Sequence, residues 1–396
     1  MTTIASCGVS AKLDSFAAGR ESAQNAYYQL GRREPNIAIV FISTIFDQKQ
    51  AIRGIRSVIK NAPLAGCSSA GSITSEGLIR GSVSVFLIYS DSVSISLGIG
   101  NDISKNARLA GHKAANNAFV NSLKDKTTKA YMMFSDSLSG NGANILRGAQ
   151  EILGTSFPII GGFAADELCF QKTYQYLNNN IYTDSVVGVL ISGNINIGIG
   201  NEHGWQPIGK PHKITKARSN IIKEIDKKIA VEIYEDYLGK TLQELNHMGI
   251  GKLGISYPLG IKIKGDGDYL IRIPLRIEDD GGLFMSSEIP EGTDVNLMIG
   301  DKTLALGATR SACLKAVSGI RQNNIKFIAV FNDVARYNLL RKDCRREVEI
   351  IKEIFPGNIP IMGFYTYGEY TSSDTSGRKG WSNFQNQAFS IAVFSE

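Results

Sequence analysis

The chain has 396 residues, 43% hydrophobic and 20% charged, which are globular proportions and exclude a disordered chain. A net charge of +6, spread over scattered lysines and arginines, argues against a nucleic-acid-binding surface. Five separated cysteines without a CxxC pair argue against a zinc knuckle or a disulfide framework, and no stretch has the make-up of a signal peptide or a membrane span.

From the N-terminus, apolar spacing at Phe16, Ala17, Ala23, Tyr27 and Leu30 predicts a helix over 15–31, stopped by Gly31. A buried strand over 37–42 and a helix over 47–60 lead into Pro63-Leu64-Ala65-Gly66-Cys67-Ser68-Ser69-Ala70-Gly71. Strands over 83–89 and 93–99, separated by Ser90-Asp91-Ser92, read as an antiparallel hairpin. A helix over 104–123, a strand over 130–134 and the phrase Pro158 to Asp166 follow, then strands over 186–191 and 195–199. The glycine- and proline-rich stretch 202–211 marks a boundary or crossover. Beyond it come a strand over 214–221, helices over 230–238 and 242–247, and strands over 270–277 and 294–299. Asp266-Gly267-Asp268 reads as a tight hairpin turn, since the ligand pattern of a calcium loop is missing. A strand over 327–331, the basic run 341–347 read as the solvated face of a helix, and a strand over 388–394 close the chain.

The phrase at 63–71 returns at 158–166 and again at 360–369, each time after a strand and a helix. Gly98-Ile99-Gly100-Asn101 also matches Gly198-Ile199-Gly200-Asn201. Repetition at this spacing fits a strand–helix–strand unit of about 30 residues. The expected class is α/β, with mixed sheets built from repeated strand–helix–strand–hairpin units in two pseudo-repetitive halves meeting near 200–220. Gly66, Gly161 and Gly363 are expected at equivalent positions at strand ends.

These phrases resemble the FIST (F-box and intracellular signal transduction) family of sensory modules. Gly66-Cys67-Ser68-Ser69-Ala70-Gly71 resembles its first signature, and His203-Gly204-Trp205-Gln206-Pro207-Ile208-Gly209 the junction of its two parts. Tyr257-Pro258-Leu259-Gly260 and Arg272-Ile273-Pro274-Leu275 resemble the opening of its C-terminal part. Gly363 to Glu369, with Asn383-Phe384-Gln385-Asn386-Gln387, resembles its closing signature. Ser72 stands where the family commonly has glutamate, and Gln385 where it often has histidine. The resemblance implies an N-terminal domain over 1–205 and a C-terminal domain over 206–396. It implies a cytoplasmic sensor of a small-molecule ligand, not an enzyme. One branch binds haem b, senses nitric oxide and acts on a histidine kinase or a cyclic-di-GMP enzyme, a diguanylate cyclase or phosphodiesterase. Such a sensor has no membrane insertion and no nucleic-acid partner, and a homodimer is compatible with it.

Haem needs an axial ligand beside an apolar cavity. Of His112, His203, His212 and His247, His203 is favoured, because Gly204 allows close approach and Trp205 offers a flat wall; Cys67 is the alternative ligand. A loop histidine bonded to backbone is the competing reading. His112 and His212 read as exposed, and His247 as a residue of a last helical turn. A sensor of amino-acid-like solutes without haem would place a carboxylate on Arg272 and an ammonium on Glu369, with Tyr365, Tyr367, Cys67 and Ser68 around them. An internal ion pair is the plainer reading. A thiol enzyme built on Cys67 would need a base that the neighbouring sequence lacks, so a buried small thiol is favoured.

Overall fold

Three copies of one unit account for most of the chain in the computed structural model, which describes residues 2–122, 127–262, 269–318, 320, 324–375 and 378–396. Each copy runs strand, helix, strand, helix, strand, a two-stranded arm and a closing strand. The first comprises β1 (Thr3–Ser10), α1 (Ser15–Gln29), β2 (Ile37–Ile42), α2 (Gln48–Arg56), β3 (Leu64–Ser68), the arm β4 (Ser72–Thr74) and β5 (Gly77–Ile79), and β6 (Val83–Ser90). The second comprises β7 (Val93–Asn101), α3 (Ile103–Val120), β8 (Thr128–Ser135), α4 (Gly142–Leu153), β9 (Ile159–Phe163), the arm β10 (Gln175–Leu177) and β11 (Asn180–Tyr182), and β12 (Ser185–Gly193).

The third opens with β13 (Asn196–Glu202) and is interrupted by an insertion over 203–300. The insertion holds β14 (Trp205–Arg218), β15 (Ile221–Ile225), β16 (Lys228–Ile229), α5 (Glu232–Leu238), α6 (Leu242–Met248), α7 (Ile250–Ser256), β17 (Leu259–Lys262), β18 (Tyr269–Arg272), β19 (Pro274–Ile277), β20 (Leu283–Met285) and β21 (Asp294–Gly300). The unit resumes with α8 (Lys302–Ser318), β22 (Ile325–Asp333), α9 (Val334–Leu340), α10 (Arg345–Ile354), β23 (Ile361–Thr366), the arm β24 (Glu369–Thr375) and β25 (Arg378–Gln385), and β26 (Phe389–Ser395). The first half of the chain thus carries two copies, and the second half carries the third copy with its insertion. Asp266-Gly267-Asp268 lies outside the described residues.

Local chemistry starts the helices. Asp14, Asp47, Asn141 and Asp333 cap α1, α2, α4 and α9 by accepting from the amides of Ala17, Gln50, Ala143 and Ala335. The glycine of each repeated phrase sits inside its strand rather than at its end. Gly66, Gly161 and Gly363 run parallel and in register with Val40, Met133 and Val330. A Cβ there would lie 1.9, 2.0 and 2.2 Å from those residues' carbonyl oxygens. The Gly-Ile-Gly motifs have the same cause, because Gly98, Gly100, Gly198 and Gly200 each face a helix carbonyl 1.8–2.0 Å from where a Cβ would stand.

Among the described residues the repeats build three six-stranded sheets, each finished by an arm from another copy. The order is β1-β6-β2-β3-β10-β11, then β7-β12-β8-β9-β24-β25, then β13-β26-β22-β23-β4-β5. The second copy's arm completes the first sheet, the third copy's arm the second, and the first copy's arm the third. The exchange closes a ring. At its centre three backbone bonds repeat at matching positions: Ala165 N to Ser68 O (3.1 Å), Tyr367 N to Phe163 O (3.4 Å) and Ala70 N to Tyr365 O (3.3 Å).

The expected hairpin across Ser90-Asp91-Ser92 does not form. β6 pairs with β1 and β2, whereas β7 pairs with β12, so this turn carries the chain from one sheet to the next. One inner core is shared by all three copies and includes Phe41, Phe134 and Phe331 at equivalent positions. Each copy also has an outer core between its sheet and its helices, and the insertion has its own core around Ile214, Tyr234 and Leu297.

The close approach at the repeated glycine gives a test. Gly161→Ala is expected to destabilise by about 3 kcal/mol or more, because the obstructing atom is backbone that cannot rotate away. Urea denaturation reads this directly, and a midpoint within error of the parent would contradict the assignment of a backbone contact.

Candidate functional site

The insertion leaves and re-enters the ring beside α8, and the residues that bind the two together form the candidate site. Gly204, with φ +86°, brings the chain so close to α8 that a Cβ would stand 2.7 Å from Ala305 Cα. Trp205 then packs with Ile271 and Met298, with Tyr269 and Leu339 at the edge of this small apolar cluster. A cavity of about 400 Å³ opens here, lined by Glu202, His203, Trp205, Tyr269, Leu304, Gly307 and Ser311 among others. Its walls therefore come from the ring (β13, α8) and from the insertion (β14, β18). Glu202 is its charged group; it pairs with Lys315 at 2.5 Å and accepts from Ser311 Oγ at 3.3 Å.

His203 is held by its backbone and by its ring. Its carbonyl accepts from Arg336 Nη1 at 2.6 Å, and its Nδ1 accepts from the Trp205 amide at 2.9 Å. The backbone of Tyr269 acts on the ring in the opposite sense to burial, favouring the protonated form. Burial, with Arg336 adding to it, pushes its pKa down to about 4, so the imidazole is neutral at pH 7. An axial haem ligand needs a free imidazole lone pair, and here the lone pair is taken by Trp205. The side chains around His203 do not fit a haem in this arrangement. Cys67 does not fit either: it is fully buried in the shared core, and burial raises its thiol pKa well above the ordinary value. Among the described residues, no cluster of three or more His, Cys, Asp or Glu is placed to hold a metal ion.

Below the cavity lies a buried charge network that the sequence reading missed. Arg336 is fully buried and donates to Glu347 Oε1 (2.7 Å), Ala305 O (2.8 Å) and Thr309 Oγ1 (2.8 Å) besides His203 O. Glu347 also accepts from Asn332 Nδ2 (2.6 Å) and Tyr365 OH (3.0 Å). The basic run 341–347 is therefore not one solvated helical face. Its first residues form a 3-10 turn, and its last, Glu347, turns into the core because Arg336 awaits it. A glutamate at the end of a basic run was the available signal, but the sequence could not place Arg336 opposite it.

The strand β18 links the cavity to the closing signature. Tyr269 lines the cavity at one end, and at the other Arg272 donates to Phe384 O at 3.3 Å and to Ile271 O at 2.8 Å. Arg272 is buried, its Nε has no partner among the described residues, and its pKa is lowered to about 10 by burial, with Glu288 opposing. Ser286 Oγ donates to Asn386 Oδ1 at 2.8 Å, and Gln387 Nε2 donates to Ile255 O at 2.9 Å, so the closing signature is stitched to the insertion.

The other expected site residues are dispersed around the ring's centre. Glu369 meets Thr366 Oγ1 and the Ala388 amide, not Arg272. Tyr365 belongs to the Arg336 network, whereas Tyr367 OH donates to Asp166 Oδ1 at 2.6 Å. Ser68 bonds Tyr174 through both backbone and hydroxyl. Asp166 is an anchor not singled out from sequence: its carboxylate also accepts from the amides of Phe170, Gln171 and Lys172 and so shapes the long second loop. His112 pairs with Glu151 at 3.0 Å. His212, expected to be exposed, is mostly covered and bonds Asp226 (2.8 Å) and Tyr237 OH (3.2 Å).

Burial raises the Asp333 pKa to about 6 and that of Glu369 well above its ordinary value, with Asp333 adding to the latter. Carboxyls with raised folded pKa values hold protons that the unfolded chain releases, so they stabilise most at acid pH and less as pH rises. For Asp333 the loss runs from about pH 4 to pH 6 and amounts to roughly 3 kcal/mol; for Glu369 it continues upward. His203 acts oppositely, with a contribution present above about pH 6.5 and lost towards pH 4. Glu369→Gln is therefore expected to flatten the decline in urea midpoint as pH rises above about 4.5. An unchanged slope would show that Glu369 is ionised in the fold. In the same assay Glu347→Gln is expected to cost about 3 kcal/mol or more at every pH, by leaving Arg336 buried without its counter-charge.

Comparison with known proteins places these features. Residues 36–228 match the model of the FIST N domain, and residues 230–372 that of the FIST C domain. An uncharacterized protein of Methanocaldococcus jannaschii is 24% identical over 281 residues, which are 66% of this chain and 53% of that protein. The chain thus spans about half the length of this curated relative. Two cyanuric acid hydrolase structures, one from A. caulinodans, align over 100% of this chain and 100% and 99% of theirs. Their TM-scores of 0.37 and 0.38, at 8% and 7% identity, carry no argument about this molecule.

Proposed function

We propose that this chain, which belongs to the FIST family of sensory signal-transduction domains through both its N and C domains, detects a small molecule at the root of the insertion. The observation that carries this reading is the cavity of about 400 Å³ walled by both the ring and the insertion. Its volume suits a small solute. Trp205, Tyr269 and Leu304 offer an apolar surface, and Glu202, with Lys315 paired to it from outside the lining, brings both signs of charge to the site. An amino-acid-like solute matches that lining, with its ammonium on Glu202, its carboxylate on Lys315 and its side chain against the aromatic wall. Arg272 then serves to hold the insertion on the ring, and Glu369 to tie together strands of the third copy, rather than to bind the solute.

A solute that fits one placement of the insertion better than another shifts the balance between them, and only that difference in affinity can act as a signal. β18, running from Tyr269 to Arg272, and Arg336, bonded to the His203 carbonyl, are the connections through which such a shift would reach the closing signature. Output would pass to a partner enzyme, a histidine kinase or a cyclic-di-GMP enzyme in keeping with the family. A haem-linked response to nitric oxide lacks a ligand nitrogen in this arrangement. A Soret band lost in His203→Ala would reinstate it.

Gly307 supplies a clean test. It lines the cavity from α8, and no atom lies within 4 Å of a Cβ built on it. Gly307→Leu is expected to fold normally, since a helical glycine is the poorer residue by about 1 kcal/mol, while filling the cavity. Thermal-shift screening with amino acids should give a stabilising solute for the parent and none for Gly307→Leu. The same shift in both proteins would remove the cavity from consideration.

A further inference from the structure

A second cavity, of about 660 Å³, lies on the seam between the first and third copies, where the β4–β5 arm rests against α9 and α10. Its lining carries four cations, Arg80, Arg341, Lys342 and Arg345, against the single carboxylate of Glu76. Arg80 stacks over the Tyr337 ring at 5.3 Å and donates to its hydroxyl at 3.3 Å. Arg341, Lys342 and Arg345 have no ion-pair partner among the described residues. The neighbouring acids are already committed, Asp343 to Lys302 at 2.6 Å and Glu347 to Arg336. Arg341 has φ +52°, and this backward bend between α9 and the 3-10 turn brings residues on either side of it to the same opening.

Unpaired cations that repel one another around a hollow persist at a cost in stability unless an anion occupies it. We infer that this seam is a binding site for a phosphate group carried on a small organic molecule. The guanidinium fork of arginine matches phosphate oxygens in pairs. A volume of 660 Å³ is of the size of small-molecule sites and well beyond one phosphate ion. The apolar and aromatic surface of Leu78 and Tyr337 is available to the organic part. The site is separate from the cavity at His203 and does not rest on the function proposed for it. The two are nevertheless connected: Tyr337 meets Tyr365 edge-on at 5.7 Å, Tyr365 bonds Glu347, and Glu347 holds Arg336 against the His203 carbonyl. An occupant clamping the first copy's arm to the third copy's helices would therefore act on the same network that fixes the root of the insertion.

Calorimetric titration of the full chain with AMP, ATP and inorganic phosphate, each at matched ionic strength, tests the inference. A nucleotide is expected to bind more tightly than inorganic phosphate, and more weakly as salt is raised. Arg341→Gln and Arg345→Gln should each weaken it about tenfold. Both side chains are exposed, so the unliganded melting temperature should hold or rise slightly as a repelling cation is removed, and it serves as the control for folding. Equal affinity for inorganic phosphate and the nucleotides would overturn the organic ligand. Absence of binding, or nucleotide binding unchanged in both variants, would overturn the site. Preferential binding of a single-stranded oligonucleotide, lost in the same variants, would overturn the small-molecule reading in favour of nucleic acid.

Discussion

The exchange of arms between copies is the constraint on which the rest of this molecule depends. A sheet that ended at β3, β9 or β23 would expose a row of unpaired backbone groups along its edge. Each edge is instead covered by a two-stranded arm from another copy, and the cycle closes only when all three copies are present. The equivalent residues Ser72, Gln175 and Glu369 open the three arms and pair with Phe364, Cys67 and Gly162. No copy can complete its own sheet, so the stability of each is tied to the others. The three backbone bonds at the centre follow from the same geometry.

Within this near-symmetric frame the residues on the axis cannot be alike. Cys67, Gly162 and Phe364 stand at equivalent positions beside Phe41, Phe134 and Phe331. Phe364 stacks on Phe41 at 4.4 Å and lies 6.0–6.1 Å from Phe134 and Phe331. One large ring fills the centre, and close packing then requires smaller residues at the other two positions. Cys67 is such a spacer. Its place in the first signature phrase has a packing cause, and its buried thiol is chemically quiet.

Charge breaks the symmetry further and locates the features of functional interest. The third copy alone is interrupted by the insertion. It also carries the fully buried Arg336–Glu347 pair, in which a guanidinium bonded on several sides offsets the large cost of burial. That arginine grips the first residue of the insertion by its carbonyl. The cavity at the root of the insertion and the cationic cavity on the arm seam lie on two sides of this network. Two of the hollows that a ligand could enter thus lie where the third copy departs from the repeat.

The periodicity of apolar residues and the recurrence of one phrase were enough to reveal many of the strands and helices and the threefold use of a single unit, though not β1, α8 or the arm β4–β5. These are local consequences of backbone geometry: buried strands need apolar runs, helix starts need capping side chains, and close strand or helix contacts need glycine. The matching Gly-Ile-Gly motifs were legible for that reason, although their cause, a helix carbonyl above each glycine, was not. Pairing across distance lay outside the sequence signal. Val83–Ser90 and Val93–Asn101 look like hairpin neighbours because they are adjacent in the chain, yet each finds better partners within its own copy's sheet. The same holds for the candidate site. His203 was conspicuous by its type and its neighbours, but whether its lone pair was free depended on where the Trp205 amide came to rest. Arg272 and Glu369 looked complementary in charge, and only the tertiary structure could set them beside different neighbours. Residue type fixes what a side chain can do; the long-range contacts of the fold decide whether it is left free to do it.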